Sequence, residues 1–187
     1  MVTAAFPVAI DPRRAELSAR ARRVGAVLTD CDGVLTDGGV YYSEDGEALK
    51  RFNVRDGMGV ERLQRAGVST AIVTREMSLV VARRAAKLGS LRVYAGVADK
   101  AEHLPWILRD LALERDRIAY IGDDVNDLGI IETVREEGLT AAPADAMPEV
   151  LAAVHYRCQA RGGYGAFREF AEWLLRLREE AKGREDA

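Results

Sequence analysis

Residues 27–38, VLTDCDGVLTDG, begin as a short apolar run and continue into two carboxylates one residue apart, Asp30 and Asp32. An apolar run of this length is typical of a strand buried on both faces of a sheet. The polar residues then lie where the chain leaves the sheet, and open parallel sheets bind ligands at that edge. Two carboxylates this close usually share a divalent cation or divide the roles of nucleophile and acid. The stretch therefore predicts a reactive or metal-binding site.

The rest of the chain alternates apolar runs with segments of helical periodicity. Further strands are predicted at residues 68–73, 91–95 and 118–121, and helices at residues 57–66, at 78–87, after Asp99 and at 166–177. This alternation predicts an α/β fold with a doubly wound parallel sheet. Asp45-Gly46 separates two strand-like runs, which predicts a β-hairpin at residues 40–53 that protrudes from the sheet.

One domain is expected over residues 1–187. Within it, residues 1–23 are an N-terminal extension containing an exposed helix at 12–23, and residues 178–187 are a solvated tail.

Composition narrows the class of protein. The chain is 48% apolar and 30% charged, as in ordinary globular proteins, and its net charge of −3 gives no reason to expect binding to nucleic acid or to an acidic membrane surface. No apolar run approaches the roughly 18 residues of a membrane span. Cys31 and Cys158 lie far apart and are expected to be buried, as in a reducing compartment, so we predict a cytoplasmic protein.

Polar residues follow several of the predicted strands or begin a helix. Besides Asp30 and Asp32, these are Thr74, Lys100 and Asp123. If the strands are parallel, these residues meet at one edge, and several carboxylates with a hydroxyl and a lysine suit phosphoryl transfer. The spacing does not match a calcium-binding EF-hand loop, and neither a Walker motif nor a Gly-x-Gly-x-x-Gly motif is present.

The motifs at residues 30–38, Thr74, Lys100 and residues 122–127 resemble, in order and spacing, the four motifs of the haloacid dehalogenase (HAD) superfamily. Within it, residues 24–175 resemble the 3-deoxy-D-manno-octulosonate 8-phosphate phosphatases and their relatives that act on nine-carbon sugar acid phosphates. The resemblance implies a magnesium-dependent phosphatase without a cap domain.

The resemblance also implies a role for each motif residue. Asp30 would be the nucleophile that forms an aspartyl phosphate, and Asp32 would be the general acid and base. Thr74 would donate a hydrogen bond to the phosphoryl group, and Lys100 would offset its charge.

Magnesium would be bound by Asp30, by the backbone carbonyl of Asp32 and by Asp123. Asp124 and Asp127 would act around the ion, through water or through hydrogen bonds to its ligands.

Simpler interpretations exist for some of these residues. The Asp-Gly and Asp-Asp pairs could be turns, Lys100 could be a solvated helix start, and Asn126 is expected to cap the helix that follows it. His103 and His155 match no catalytic or ligand spacing, and ordinary structural roles are expected for both.

The sequence has no room for a lid domain, so another part of the protein must cover the site. The candidates are the hairpin at 40–53 and the segment at 161–169, whose Gly162-Gly163 could instead be a hinge. An isolated hairpin is marginally stable, which favours pairing between subunits. The resemblance implies a homotetramer in which these segments complete a neighbour's site.

Substrate selection is expected to involve charge. Arg55, Arg75 or Arg161 could bind the carboxylate of a sugar acid, and Glu76 suits an amine or a hydroxyl. The octulosonate phosphatases usually carry Gly-Arg-x-Ser after the motif threonine, where this chain has Arg75-Glu76-Met77-Ser78.

We therefore expect an octulosonate 8-phosphate first and a nine-carbon 9-phosphate second. A structural domain, like those fused to acylneuraminate cytidylyltransferases, is the non-enzymatic alternative. A phosphomutase would need a lid that the chain lacks.

Overall fold

The computed structural model of the protein describes residues 12–89 and 91–182. The start of the predicted N-terminal extension, residues 1–11, and the end of the predicted tail, residues 183–187, lie outside the described residues. In chain order the elements are α1 (Pro12–Arg23), β1 (Ala26–Thr29), β2 (Thr36–Ser43), β3 (Gly46–Phe52), α2 (Val54–Arg65), β4 (Ser69–Val73), α3 (Leu79–Lys87), β5 (Arg92–Tyr94), α4 (Lys100–Leu111), β6 (Ile118–Ile121), α5 (Leu128–Arg135), β7 (Leu139–Ala142), α6 (Pro148–Ala153), β8 (Tyr156–Arg157) and α7 (Ala166–Lys182).

Six strands form a parallel sheet in the order β5-β4-β1-β6-β7-β8. The strand order reverses at β1, which pairs with β4 on one side and with β6 on the other. In a doubly wound sheet this reversal leaves a crevice at the carboxyl ends of the central strands. The predicted α/β class is confirmed, and the apolar start of residues 27–38 lies in β1, the strand at which the order reverses.

Both faces of the sheet are buried. Val27 belongs to a core shared with α1, α2, α3 and α7, whereas Leu28 belongs to a second core shared with α4, α5 and α6. Alternate residues of β6 divide between the two cores in the same way. This explains why the strands are apolar throughout in the sequence, since each side chain enters one core or the other.

Several element boundaries differ from the sequence prediction. Helix α2 begins at Val54 rather than at Gly57, because the side chain of Asn53 caps it by accepting from the backbone N–H of Arg55. The helix predicted after Ser78 is confirmed, with that side chain accepting from Val81 N–H. Strands β7 and β8 and helix α6, which were not predicted, complete the far side of the sheet.

The predicted solvated tail is wrong over residues 178–182, because α7 continues to Lys182. Ala181 is buried, and the guanidinium of Arg178 donates to the backbone carbonyls of Ala21 and Val24 at the end of α1. The end of α7 is therefore part of the packed structure.

Strands β2 and β3 form a separate antiparallel hairpin. Several of its apolar side chains are exposed, among them Val40, Tyr41, Tyr42 and Leu49. Between β1 and β4 the described chain contains only this hairpin and α2, so no cap domain is inserted at this point of the described residues. None of the helices in the described ranges combines the length and the hydropathy that a membrane span needs.

Candidate active site

The loop after β1 brings Asp30 and Asp32 to the carboxyl edge of the sheet. It turns tightly because the carbonyl of Cys31 accepts from the backbone N–H groups of Leu35 and Thr36, at 2.9 and 3.0 Å. Gly33 has φ +82°, and a Cβ there would lie 1.9 Å from Oδ2 of Asp123. Glycine thus allows the loop after β6 to pack directly against the loop after β1.

A cleft of about 260 Å³ opens at this edge. It is lined by Asp30, Asp32, Gly33, Gly38, Thr74, Arg75, Glu76, Asp123, Asp124 and Asn126. The structure thus brings most of the predicted site residues together. Arg55 and Arg161 do not line this cleft, and the guanidinium of Arg161 instead contacts Oδ2 of Asp145 at 3.1 Å.

Lys100 lies directly behind Asp30. Its ammonium, on a side chain that is 1% exposed, is 2.9 Å from Asp30 Oδ2 and 2.6 Å from Asp127 Oδ1. The other oxygen of Asp30 accepts from the Cys31 backbone N–H at 2.6 Å. Burial and the neighbouring Asp127 charge raise the pKa of Asp30 to about 7, although Lys100 opposes this shift.

Asp123 has a buried carboxylate oxygen, Oδ1, without a hydrogen-bond partner among the described residues. Burial and the charge of Asp30 raise its pKa to about 8. One carboxylate oxygen from each of Asp30, Asp123 and Asp127 lies within 4.8 Å of the others. Hard divalent cations prefer such oxygens, and a cation would offset the repulsion that raises these pKa values. The donor set therefore fits a divalent metal.

Asp127 has its oxygens occupied by protein donors. Oδ1 accepts from Lys100 and from the Tyr120 hydroxyl, each at 2.6 Å, and Oδ2 accepts from the backbone N–H groups of Asp123 and Asp124. Asp127 thus orients Lys100 and the loop that carries Asp123. Among the three carboxylates, Oδ1 of Asp123 is the buried oxygen to which no described residue donates, so it is free for a metal.

The prediction that Asn126 caps the following helix is wrong. Asp124 and Asp127 form a capping box instead, in which the Asp124 side chain accepts from the backbone N–H of Asp127 and the Asp127 side chain accepts from the backbone N–H of Asp124. Asn126 lines the cleft.

Lys50 is a site residue that the sequence analysis missed. Its ammonium lies 2.6 Å from Asp32 Oδ2 and 3.4 Å from Glu47 Oε2, and its side chain is fully buried. Burial lowers the pKa of this ammonium, but the hydrogen bond and charge of Asp32 outweigh that effect and raise it. No local pattern reveals the pair, because Asp32 is 18 residues away; only the Glu47–Lys50 spacing gives a weak signal.

Thr74 and the two residues after it form one wall of the cleft. Thr74 is buried, and its hydroxyl accepts from the Glu76 backbone N–H at 3.2 Å. Arg75 and Glu76 line the mouth of the cleft. Ser78, which caps α3, also donates to Oε1 of Glu47 on the hairpin. The hairpin is thereby joined to the segment that carries Arg75 and Glu76.

Gly162 and Gly163 lie against the loop after β1. A Cβ on Gly162 would be 1.8 Å from the carbonyl oxygen of Gly33, and the N–H of Gly163 donates to the carbonyl of Val34 at 2.9 Å. Arg51 donates from β3 to the carbonyl of Gly163. The glycine pair therefore allows close backbone packing beside the site, which explains it better than a hinge does.

The two cysteines and two histidines have structural environments. Cys31 and Cys158 are buried free thiols, as expected. His155 bonds to Thr140, and burial lowers its pKa to about 4. His103 packs beside Trp106. Neither histidine lines the cleft, in agreement with the ordinary roles predicted for them.

Comparisons with known proteins find close relatives. The chain is 37% identical over 175 residues to 3-deoxy-D-manno-octulosonate 8-phosphate phosphatase KdsC of Escherichia coli K12, and the match covers 92% of each chain. A Legionella pneumophila protein assigned to the HAD superfamily (subfamily III A) superimposes with a TM-score of 0.83 at 37% identity, covering 91% of this chain and 92% of the other.

A third relative was solved with ligands. The Moraxella catarrhalis 3-deoxy-D-manno-octulosonate 8-phosphate phosphatase, in complex with magnesium, phosphate and KDO, gives a TM-score of 0.81 at 31% identity, with 91% and 97% of the two chains covered. No family model matches the sequence.

Proposed function

The chain belongs to the 3-deoxy-D-manno-octulosonate 8-phosphate phosphatases of the HAD superfamily, and from this we propose that it hydrolyses the 8-phosphate ester of that sugar acid. One observation carries the proposal. The cleft places Asp30 against Lys100, beside a carboxylate oxygen of Asp123 to which no described residue donates, and this combination suits phosphoryl transfer assisted by a divalent metal.

In the proposed first step, a carboxylate oxygen of Asp30 forms a bond to phosphorus as the bond from phosphorus to the sugar oxygen breaks. Asp32 gives its proton to the departing sugar oxygen. Water then attacks the aspartyl phosphate, Asp32 takes a proton from that water, and phosphate leaves with Asp30 restored. The two aspartates thus divide nucleophilic and proton-transfer roles.

Charge on the transferred group is balanced by protein donors. Lys100 lies between Asp30 and Asp127, so its ammonium already contacts the carboxylate that would attack phosphorus. The Thr74 hydroxyl lies on the cleft wall, where it can donate to a phosphoryl oxygen. Donors held in place before the reaction cost no reorganisation during it.

We propose magnesium as the metal, bound by Asp30, Asp123 and the backbone carbonyl of Asp32. When bound, magnesium would neutralise charge on the phosphoryl oxygens and keep Asp30 ionised. The raised pKa values of Asp30 and Asp123 support this, since each carboxyl resists ionisation without a cation. The magnesium in the Moraxella enzyme supports the choice of ion.

Arg75 and Glu76 are the proposed substrate contacts at the mouth of the cleft. Arg75 would bind the sugar carboxylate, and Glu76 would accept from a hydroxyl. Glu76 also favours the second candidate, a nine-carbon 9-phosphate, because its carboxylate equally suits an amino substituent. Arg55 and Arg161 stay proposals for a site completed by another subunit.

The proposed assembly is a homotetramer with shared sites, in the cytoplasm. A cleft of about 260 Å³ is smaller than most ligand pockets, and the exposed Tyr41, Tyr42 and Leu49 of the hairpin favour burial against another copy. The two buried free thiols suit a reducing compartment. A fully active monomer in size-exclusion chromatography would refute the shared site.

A panel of phosphate esters tests the function. We expect magnesium-dependent phosphate release with the highest kcat/KM for octulosonate 8-phosphate, then for nine-carbon 9-phosphates, and the lowest for hexose phosphates. Equal values across the panel would refute sugar-acid specificity. If the purified chain released no phosphate from any ester, the structural-domain alternative would replace the enzymatic one.

A further inference from the structure

Lys50 occupies an unusual position in the hairpin. The preceding residue, Leu49, is 51% exposed, yet the Lys50 side chain is fully buried. Burying an ammonium is costly, and a whole buried ion pair can often be replaced by apolar side chains of similar volume with equal or better stability. Its presence therefore calls for a reason other than packing.

The contacts of Lys50 indicate that reason. Its ammonium donates to Oδ2 of Asp32 at 2.6 Å, and the hydroxyl of Thr36 donates to Oδ1 of Asp32 at 3.2 Å. Both oxygens of Asp32 are thus held by residues of the hairpin, one from each strand. A carboxylate bound from two sides has little freedom to rotate away from the cleft.

We propose that Lys50 is a positioning residue for proton transfer by Asp32. The inference rests on the proposed phosphatase function and extends it to a residue outside the motifs. Lys50 fixes the orientation in which the Asp32 carboxyl reaches the leaving oxygen, and it does not itself touch the phosphoryl group. A misoriented acid loses rate even when its chemistry is intact.

The same lysine connects Asp32 with the wall that carries the substrate contacts. Lys50 contacts Glu47 at 3.4 Å, and Glu47 accepts from Ser78, two residues beyond Glu76. A sugar bound by Arg75 and Glu76 would then be placed relative to Asp32 through the Lys50–Asp32 hydrogen bond, the Lys50–Glu47 ion pair, the Ser78–Glu47 hydrogen bond and the short backbone segment from Ser78 to Glu76. Loss of Lys50 breaks this connection at its centre.

If Lys50 has this role, the loss of kcat/KM caused by removing it should depend on the leaving group of the ester. 4-Nitrophenolate leaves as a stable anion, whereas phenolate and a sugar alkoxide need a proton as the bond to phosphorus breaks. Since kcat/KM reports the steps up to that departure, loss of Lys50 should affect poor leaving groups far more than good ones.

The test is a double-mutant cycle on phenyl phosphate, 4-nitrophenyl phosphate and octulosonate 8-phosphate with magnesium present. Lys50→Met should lower kcat/KM for phenyl and sugar phosphates by roughly 100-fold, and for 4-nitrophenyl phosphate by less than about threefold. In an Asp32→Asn background the same substitution should cause no further loss. Lys50→Arg, which keeps the charge and donors, should recover part of the activity.

The matched control is Lys87→Met at the exposed end of α3, which should change no ratio between esters. If Lys50→Met does not fold, Thr36→Val removes the second contact to Asp32 and should give the same selectivity to a smaller extent. Equal loss for all esters, or losses that add to those of Asp32→Asn, would overturn the proposal. Turnover of aryl but not sugar phosphates would refute the proposed substrate and leave the Lys50 test decisive.

Discussion

The two aspartates of residues 27–38 each pair with a buried lysine, but the two pairs belong to different parts of the molecule. Asp30 directly follows β1, Lys100 is the first residue of α4, and both side chains are almost fully buried. Asp32 and Lys50 pair across the base of the hairpin, where the Asp32 side chain keeps 25% of its exposure. The first pair is shielded from water, which suits the nucleophilic role proposed for Asp30. The second retains access to water, which suits the proton-transfer role proposed for Asp32.

The largest expected difference between the pairs is in the chemistry that each supports. Asp30→Asn should lower phosphate release from every ester by roughly 10⁴-fold or more, because it removes the attacking oxygen. Asp32→Asn should spare the initial release of 4-nitrophenolate and slow the hydrolysis of the intermediate, which rapid-mixing absorbance measures as a burst. Loss of the burst in both variants would break the distinction between the two aspartates.

The second expected difference is in stability. Lys100→Met leaves Asp30 and Asp127 as buried, uncompensated charges and should cost about 3–5 kcal/mol. Lys50→Met should cost less, about 1–3 kcal/mol, because water reaches Asp32. Urea unfolding of both variants without metal measures this, and equal losses would contradict the contrast in burial.

A third effect concerns the packing that supports both aspartates. Gly162→Ala places a methyl group against the Gly33 carbonyl and should destabilise the protein by about 1–3 kcal/mol, with a loss of activity on all esters. Gly39→Ala is the control, because its nearest contact is the flexible side chain of Asp37 at 3.3 Å. Thermal unfolding and kcat/KM measure both changes, and an inert Gly162→Ala would contradict the close packing.

A last expected effect is the pH dependence of stability on the sheet side of the site. The folded pKa values of Asp30 and Asp123, about 7 and about 8, lie above their ordinary value of 3.8. The unfolded chain then releases these protons first, so the metal-free protein loses stability as pH rises from about 4 to 8. The expected result is therefore a stability that falls steadily with rising pH across this window.

Saturating magnesium should remove this slope, because binding requires the ionised carboxylates. Thermal unfolding at several pH values, with a chelator or with magnesium, measures both conditions. A slope that magnesium leaves unchanged would contradict metal binding at Asp30 and Asp123.

The comparison of the two pairs also separates what sequence can predict from what it cannot. Asp30, Lys100 and Asp123 follow strands or begin a helix, and parallel strands converge at one edge, so their grouping follows from local patterns. Lys50 depends on the register of a hairpin and on a partner far along the chain, which local pattern does not specify.

Two other predictions from the sequence, the solvated tail and the Asn126 cap, were wrong for different reasons. The charged residues after Leu177 concealed the continuing apolar stripe that ends in the buried Ala181, although its helical spacing was visible in the sequence. Asn126 was expected to be a cap because asparagine favours that position, but the adjacent carboxylates of Asp124 and Asp127 took the role.

The most direct test of the account is to identify the residue that becomes phosphorylated. The protein is mixed with magnesium and a phosphate ester, quenched in acid within the first turnovers, digested and examined by mass spectrometry. We predict one phosphoryl group on the peptide that contains Asp30, and none in Asp30→Asn. An enzyme that turns over with no phosphorylated intermediate, or with the phosphoryl group on another residue, would contradict the assignment.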